Sequence, residues 1–292
     1  MDVDGRVLAF ACLLLWSLSP PLAKLGVGEV GFLSFSLFTA LLTGLFAFPF
    51  MLKEKIKGVR RWWKQLLMLY LFAYFLFSIL YFLGIESISA IQGSALLGSE
   101  VLFSLLVGAV YGKEKLGHGV LVFTLLLMLG IAVAILNGMF ELSVSLGALF
   151  VLLAMLSLQL GFYNAADAIR ECGVGTILVF GNLFQAAATL LLFPLTSTPL
   201  AFAFDPSAWL SIIIYAALPS FSAAYLWYQA LKRISVYVTT AIVVPAPAVA
   251  ILYSVLLLGE TITTYHIIGV GLIVLSVWRI ANRKHQVRSS FM

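Results

Sequence analysis

The sequence predicts an all-α membrane protein in which ten transmembrane helices form an inverted repeat of two five-helix halves, with both termini cytoplasmic. The first observation is composition: 63% of the 292 residues are hydrophobic and 10% are charged, whereas soluble domains carry about 25% charged residues. The second is a series of uncharged stretches long enough for membrane helices, and the third is a shift of 146 residues that aligns the two halves. Together they favour an integral membrane protein built by duplication.

Ten apolar stretches follow one another along the chain, and charged residues mark their boundaries. A helix that crosses a bilayer needs roughly 20 apolar residues, whereas β-barrel strands would alternate over about 10. The predicted helices cover residues 7–23, 31–52, 65–85, 87–112, 116–140, 142–166, 172–195, 206–231, 234–259 and 261–278. The seventh ends near residue 195 because the Thr-Ser-Thr-Pro sequence that follows is typical of a turn.

The distribution of basic residues sets the expected orientation. With a cytoplasmic N-terminus, Lys24 is the only one of 17 Lys and Arg residues that falls in an outer loop. Cytoplasmic loops of membrane proteins carry an excess of Lys and Arg, so this bias supports both the helix count and the cytoplasmic termini. Because five is odd, the halves 1–146 and 147–292 would cross the membrane in opposite senses while together forming one transmembrane domain. Many secondary transporters build alternating access around a midplane site from such inverted repeats.

The clearest sign of duplication is the segment 88–114. Shifted by 146 residues it falls on the segment 234–260, and the closing Glu114 aligns with Glu260. Each copy is predicted to form one apolar helix. The two copies differ most at their centres.

Glu100 lies midway along the first copy, in the fourth predicted helix. A charged carboxylate at that depth costs on the order of 2.5–3.5 kcal/mol even on the most permissive insertion scale, so it requires a compensating reason. The functional interpretation is a proton-binding or cation-binding group that faces a central cavity, where burial favours the protonated form. The alternative is a neutral carboxyl group that hydrogen-bonds a neighbouring helix. Helical spacing places Gln92 and Ser104 on the same side as Glu100.

Pro245 and Pro247 lie at the centre of the second copy, in the ninth predicted helix. Each removes a backbone N–H group and clashes with the preceding turn, so the helix is expected to kink or open there. Non-helical backbone at this depth is tolerated where it lines a wet cavity. The alternative is a packing kink without ligand contact.

Aromatic and amide side chains supply the other candidates for a solute-binding cavity. They are expected to stack on or hydrogen-bond an organic solute, and interhelical packing is the alternative for each. The predicted substrate-binding residues are Trp16, Ser17, Tyr81, Gln92, Glu100, Gln159, Tyr163, Trp227 and Pro245. Lys24 is expected either to attract anionic groups at the cavity mouth or to reach the outer headgroups.

Several short motifs on this ten-helix background resemble a known family. They are Trp16-Ser17 followed by Lys24, Ala230-Leu231 with Ile234-Ser235, Pro245, and Leu258-Gly259-Glu260. Over essentially the whole chain they resemble the drug/metabolite transporter superfamily, specifically its EamA-type permeases. The resemblance implies that the first, third, fourth, sixth, eighth and ninth helices surround a central cavity, and that amino acids or other small metabolites are exported. It implicates Trp16 and Pro245, but it supplies no role for Glu100, because Ser99-Glu100 occupies the site where the second copy has the expected proline.

The sequence therefore predicts a secondary transporter of the cell membrane that moves small organic metabolites. Amino-acid-like solutes, export and proton coupling through Glu100 are favoured, and an uncoupled facilitator or exchanger is the alternative. A membrane-embedded lipid-modifying enzyme would need a second catalytic group beside Glu100, and a receptor or scaffold is hard to reconcile with central helix breakers.

The expected partners are the small-molecule substrate and membrane lipids, with the chain a monomer or homodimer. No cofactor, metal or nucleic acid is expected, because the sequence contains no nucleotide-binding loop and no Cys/His cluster. Cys12 and Cys172 are the only cysteines.

Overall fold

The computed structural model describes residues 4–54, 58–111, 118–136, 145–201, 206–231, 233, 234, 239, 242, 243 and 245–289. All regular secondary structure in these ranges is helical. The helices of the first half include α1 (Gly5–Trp16), α2 (Ser19–Leu52), α3 (Trp63–Leu69), α4 (Phe77–Ser87), α5 (Ala90–Leu96), α6 (Ser99–Val110) and α7 (His118–Leu136). Those of the second half include α8 (Leu146–Glu171), α9 (Val174–Thr196), α10 (Pro206–Tyr215), α11 (Ala223–Leu231), α12 (Ala246–Leu258) and α13 (Thr264–Ser289). Two π-helical segments join α3 to α4 (Tyr70–Leu76) and α10 to α11 (Ala216–Ser222).

Many of these helices are apolar and long enough to cross a bilayer. Six described segments qualify, namely Gly5–Leu52, Trp63–Ser87, Ala90–Val110, Leu146–Ile169, Val174–Thr196 and Pro206–Ala230. Three shorter apolar helices cover Val122–Ala134, Ala246–Leu258 and Thr264–Ser276. Large apolar side chains such as Val110 and Leu195 are 85% and 77% exposed, as expected where lipid surrounds the protein. The chain is a multi-pass helical membrane protein, as its composition predicted.

The longest apolar segment, which comprises α1 and α2, is not one straight helix. α1 and α2 are separated by a turn at Ser17 and Leu18. Within α2, Gly31 has φ 76° and ψ 160°, a conformation that only glycine adopts readily. Gly31 therefore divides α2 into two helical parts, at the residue where the sequence predicts the second helix to begin.

Helices of the two halves pack directly against each other. α2 packs along α9, α4 along α8, α7 along α13, and α1 against α11. The largest cluster of buried side chains accordingly combines Phe35 and Tyr81 from the first half with Met155 and Ile212 from the second. Each half buries much of its apolar surface on the other.

A carboxylate joins the end of α2 to the start of α9. Glu54 accepts hydrogen bonds from the backbone N–H groups of Gly175 and Thr176, each at 3.1 Å. The first N–H groups of a helix have no partner within it, so a carboxylate is stabilising there. Gly173 provides the room, because a Cβ atom at that position would collide with the Glu54 carboxylate.

The two π-helical segments are related by the same shift of 146 residues as the sequence repeat, which places Tyr70 on Ala216. A π-helical turn departs from the usual hydrogen-bonding pattern, and a hydroxyl group from a neighbouring helix contacts a carbonyl oxygen in each segment. Ser157 of α8 donates to the Phe72 oxygen at 2.7 Å, and Thr43 of α2 donates to the Ala216 oxygen at 3.4 Å. The two copies thus share a local distortion as well as a sequence pattern.

Gly84 of α4 and Gly147 of α8 bring these two helices into backbone contact. A Cβ atom on Gly84 would lie 2.7 Å from the Gly147 oxygen and 2.6 Å from a methyl group of Val151. We expect Gly84→Ala to lower the free energy of unfolding by about 1–3 kcal/mol, because the helices must move apart to admit the methyl group. Thermal unfolding of the purified protein in detergent measures this loss.

Gly271 provides the matched control for that substitution. It is also a helical glycine, but no atom lies within 4 Å of the position where its Cβ would be. Gly271→Ala should leave the thermal stability unchanged or raise it slightly, since alanine favours the helix. An equal loss in both variants would mean that helix contact at Gly84 is not the cause.

Candidate functional site

The helical span that carries Glu100 is tightened near its centre. α5 ends at Leu96 and α6 begins at Ser99, and the residues between them keep right-handed helical dihedral angles. The amide of Gly98 bonds to the Ala95 oxygen, and the amide of Glu100 bonds to the Leu97 oxygen, each at 3.1 Å and each one residue closer than in an α-helix. Glu100 therefore directly follows a tightened turn within the span.

A helix start lies at the equivalent position of the other half. α12 begins at Ala246, directly after Pro245, and the shift of 146 residues places Ser99 on Pro245. The missing N–H group of Pro245 accounts for this start, as the sequence predicts. The matching tightened turn before α6 occurs without a proline, so no residue in the sequence marks it.

Glu100 and Tyr163 belong to two polar contacts between α6 and α8 that lie one helical turn apart. The amide of Gln159 donates to Oε1 of Glu100 at 3.2 Å, and the hydroxyl groups of Ser104 and Tyr163 lie 3.3 Å apart. The Tyr163 ring also stacks on Tyr111, with 6.2 Å between ring centroids. Gln159 is 5% exposed and Glu100 is partly exposed. The contact between α6 and α8 therefore brings together Glu100 and Gln159, which are 59 positions apart in sequence, and places Tyr163 one turn further along α8.

Trp16, Ser17, Trp227 and Pro245 form a second group, where α1, α11 and α12 meet. The rings of Trp16 and Trp227 meet edge to face, with 5.8 Å between their centroids. The Ser17 hydroxyl group lies 3.1 Å from the backbone oxygen of Ala246, next to Pro245. This contact joins the break between α1 and α2 to the start of α12.

Cys12 and Trp16 lie one turn apart on the same face of α1, and the Cys12 side chain is fully buried. Both cysteines are free thiols. Burial, and then the neighbouring Glu171 carboxylate, raise the pKa of Cys172 above its ordinary value.

Tyr81 lies in the buried core rather than beside these groups. Its hydroxyl group is 3.2 Å from the Ser19 hydroxyl, which is also 3.1 Å from the hydroxyl group of Tyr215. Tyr81 is 1% exposed and packs on Phe77 and Phe82. Its contacts in this structure are therefore those of a hydrogen-bonded core residue.

Tyr81→Phe is expected to lower the free energy of unfolding by about 1 kcal/mol, because it removes the hydroxyl group that bonds to Ser19. Tyr70→Phe is the matched control, since the Tyr70 hydroxyl is buried and has no hydrogen-bond partner within the described ranges. Removing that hydroxyl should leave stability unchanged or raise it. Thermal unfolding compares the two variants. Full stability with impaired solute transport in Tyr81→Phe would instead assign Tyr81 to the solute site.

Gln92 lies at the start of α5, away from the tightened turn that precedes Glu100. Its side chain accepts from the Ser89 amide at 3.2 Å, and the Gln92 amide donates to the Ser89 hydroxyl at 3.1 Å, which together cap the helix. A pocket of about 500 Å³ at this end of the bundle is lined by Ser89, Ile91, Gln92, Leu258, Gly259, Glu260, Thr261 and His266.

Glu260 closes the same end of the bundle. Its two carboxylate oxygens accept hydrogen bonds from the amides of Ala90 and Ile91, each at 2.8 Å. The last acidic residue of the second copy therefore caps the helix that begins the first copy. The equivalent Glu114 lies outside the described residues.

Lys24 binds the end of α4. Its ammonium group donates to the backbone oxygens of Ile85 and Glu86 at 3.1 and 2.9 Å. A cation is favourable at this position because the last carbonyl groups of a helix lack partners and carry the negative end of the dipole. Neither sequence interpretation of Lys24 included this helix-capping contact.

Sequence reasoning missed several groups that complete these contacts. Tyr111 was not among the candidates, because an aromatic residue at the end of a span is typical of the interfacial belt. The alignment of Glu114 with Glu260 was a signal, but it did not indicate which helix the carboxylate would cap. Among the described residues, no three His, Cys, Asp or Glu side chains come together as metal ligands would.

Comparisons with known proteins agree with this architecture. A family model described as the EamA-like transporter family matches residues 4–136 and, separately, residues 145–281. Among solved structures, a crystal structure of a protein superposes with a TM-score of 0.72 over 94% of this chain and 95% of the other, at 19% sequence identity. This likeness shows a shared fold. A comparison with curated proteins finds no match.

Proposed function

Since the chain belongs to the EamA-like transporter family, we propose that it is a secondary transporter that carries small organic metabolites across the cell membrane by alternating access. The family match confirms the resemblance in the sequence. Amino-acid-like solutes are the favoured substrates, export is the favoured direction, and Glu100 is the favoured proton-coupling group.

The position of Glu100 is the main observation that supports the proposal. Glu100 is a partly exposed carboxylate near the middle of a membrane span, beside a tightened turn and hydrogen-bonded to Gln159. Ionisable side chains inside membrane bundles are costly and usually serve an ion or substrate pathway. A carboxylate that takes up and releases a proton at this place would connect solute movement to a pH gradient.

The proposed topology has ten membrane helices, cytoplasmic termini, and halves at 1–146 and 147–292. The turn at Gly31 supports it, because it lets α2 contribute to the first two crossings. The bias of Lys and Arg toward one side supports the orientation. The chain would act as a monomer or homodimer in contact with membrane lipids.

Alternating access requires places where the spans can bend. The tightened turn before α6 and the start of α12, like the two π-helical segments, form a pair related by the repeat shift. Distortions of this kind are frequent at functional sites in helices. Their pairing supports a movement in which one half rocks against the other.

Two alternatives remain distinguishable by experiment. An uncoupled facilitator or exchanger would use the same cavity without protonating Glu100. A lipid-modifying enzyme would need a catalytic partner for Glu100, whereas the only hydrogen-bond partner found in the described residues is the Gln159 amide. Membership of a transporter family also favours transport.

The test is counterflow in proteoliposomes that contain the full chain. Vesicles loaded with one unlabelled amino acid at a time are diluted into the same labelled amino acid, and transient uptake is followed. We expect counterflow for a subset of the panel and accumulation against a gradient when a pH difference is imposed. Counterflow without any response to pH would support the uncoupled alternative. Absence of flux for every solute, together with a modified lipid in the vesicles, would overturn the transporter assignment.

A further inference from the structure

One oxygen of the Glu100 carboxylate has no protein partner among the described residues. Oε1 accepts the hydrogen bond from Gln159, and nothing in the described ranges bonds to Oε2. The only fully buried side-chain oxygen or nitrogen atom without a partner in those ranges is the Tyr70 hydroxyl. Oε2 of Glu100 therefore retains some accessible surface.

No basic side chain neutralises Glu100 in the described part of the chain. The one ion pair there joins Arg61 to Glu171. Lys24 donates to the carbonyl groups at the end of α4, and Arg233 donates to Gln229. A negative charge at this depth is costly without a counter-charge, so its complement is a proton or a cationic group of the solute.

The start of α12, which the repeat shift makes the counterpart of the Glu100 region in the second half, offers little to a solute carboxylate. Pro245 and Pro247 have no N–H group. The amides of Ala248 and Val249 already donate to the Pro245 oxygen, at 3.0 and 3.1 Å. The start of α12 therefore offers few backbone N–H donors to an anionic group. Glu100, by contrast, has one carboxylate oxygen that can accept a hydrogen bond from a cation.

Aromatic rings line the helices that bear this carboxylate or face it. Tyr163, which contacts Ser104 on the same helix face as Glu100, stacks on Tyr111. Trp16, which lies on α1 together with Cys12, contacts the Trp227 ring of α11 edge to face. Ring faces attract both apolar groups and organic cations. The surroundings suit a solute with an apolar body and a charged amine.

We propose that the solute is recognised through a protonated amine that binds Oε2 of Glu100, and that a carboxylate on the solute is not required. The inference rests on the proposed transport function and adds the chemical class of the substrate. A proton and the ammonium group then compete for one carboxylate, so solute leaves as the proton arrives. The exchange forms and breaks only hydrogen bonds and ionic contacts.

Three probes that share the phenylalanine side chain separate amine recognition from carboxylate recognition. Phenylalaninamide keeps the ammonium group without a carboxylate, phenylalanine has both, and N-acetylphenylalanine keeps only the carboxylate. Their affinities are measured by ligand-induced thermal stabilisation of the purified full chain. We expect phenylalaninamide to bind at least as tightly as phenylalanine and N-acetylphenylalanine to bind at least tenfold more weakly. Once the amine is fully protonated, lowering the pH further should weaken phenylalaninamide binding, because protons then occupy Glu100.

Variants assign the effect to Glu100. Glu100→Gln should weaken phenylalaninamide binding at least tenfold, Glu100→Asp should retain the preference for the amine, and Glu29→Gln, which removes an exposed acid elsewhere, should change nothing. Glu100→Asp keeps the test decisive if the glutamine variant does not fold. Equal binding of N-acetylphenylalanine and phenylalaninamide, unchanged affinity in Glu100→Gln, or binding of none of the three probes would overturn amine recognition.

The failure of this inference differs from failure of the proposed function. If N-acetylphenylalanine shows counterflow and this counterflow persists in Glu100→Gln, the protein is a transporter but does not recognise its solute through an amine. If phenylalaninamide binds tightly but no solute crosses the membrane of the proteoliposomes, the amine site exists but the transport function is wrong.

Discussion

Glu100→Gln is expected to abolish solute accumulation driven by a pH gradient while leaving downhill exchange measurable. Exchange of one proton for one solute converts a difference of one pH unit into about 1.4 kcal/mol, which supports up to about a tenfold solute gradient. Glutamine retains the size of the side chain and an oxygen for the Gln159 hydrogen bond, but it cannot release or take up a proton. The accumulation ratio should therefore fall to about one, by the same relation.

Proteoliposomes with an imposed pH gradient measure this ratio with a labelled solute identified by counterflow. Glu29→Gln is the control, because it removes one exposed acidic group and has no contact with Glu100. It should accumulate solute as the wild-type protein does. Full accumulation by Glu100→Gln would exclude coupling through Glu100, and equal losses in both variants would indicate a general effect of charge.

Glu260→Gln is expected to release the contact between the start of α5 and the turn that precedes α13. The carboxylate binds two amides at 2.8 Å, and hydrogen bonds to charged groups contribute about 1.5–3 kcal/mol each. Glutamine can accept one of these bonds but presents an N–H group to the other donor. We expect the free energy of unfolding to fall by roughly 2 kcal/mol, and this end of the bundle, which faces outward in the proposed topology, to open more often.

Thiol labelling reports that opening. Cys12 is fully buried, and Cys172 lies at the opposite end of the bundle, between α8 and α9. A membrane-impermeant maleimide added from outside should label Cys12 roughly tenfold faster in Glu260→Gln, which corresponds to a shift of about 1.4 kcal/mol between closed and open states. Cys12→Ser in the same background shows which thiol reacts. An unchanged labelling rate with normal stability would mean that Glu260 does not hold this end closed.

Most of the helical framework was predictable because it depends on local properties. In a bilayer every backbone N–H and C=O group must bond within the span, so a long apolar stretch has few alternatives to a helix. The seventh predicted helix, for example, ends near residue 195, and α9 ends at Thr196. The start of the second predicted helix at Gly31 coincides with the turn inside α2.

The helix distortions were only partly predictable. Pro245 predicts the start of α12, since proline cannot donate a backbone hydrogen bond. The tightened turn at Leu97 and Gly98 has no such marker, and neither has the first π-helical segment, although the second contains Pro219. In these places packing against neighbouring helices, such as Ile273 beside Gly98, decides the backbone path.

The contacts of the candidate site were also only partly predictable from the sequence. Helical spacing correctly placed Ser104 on the side of Glu100, because both lie in α6. The same spacing places Gln92 on that side too, and in the structure Gln92 and Ser89 cap the start of α5. Tyr81 resembled a cavity residue in composition, yet its hydroxyl group bonds to Ser19 in the core.

Hydropathy, charge and repetition along the chain are enough to identify a helical membrane protein of duplicated design with a carboxylate inside a span. Which groups meet depends on the packing of distant helices. Gln159 reaches Glu100 across 59 residues, Glu260 reaches Ala90 across 170, and Ser17 reaches Ala246 across 229. Such contacts depend on how distant helices cross, and the crossing is set by the combined packing of both halves, which no local pattern records.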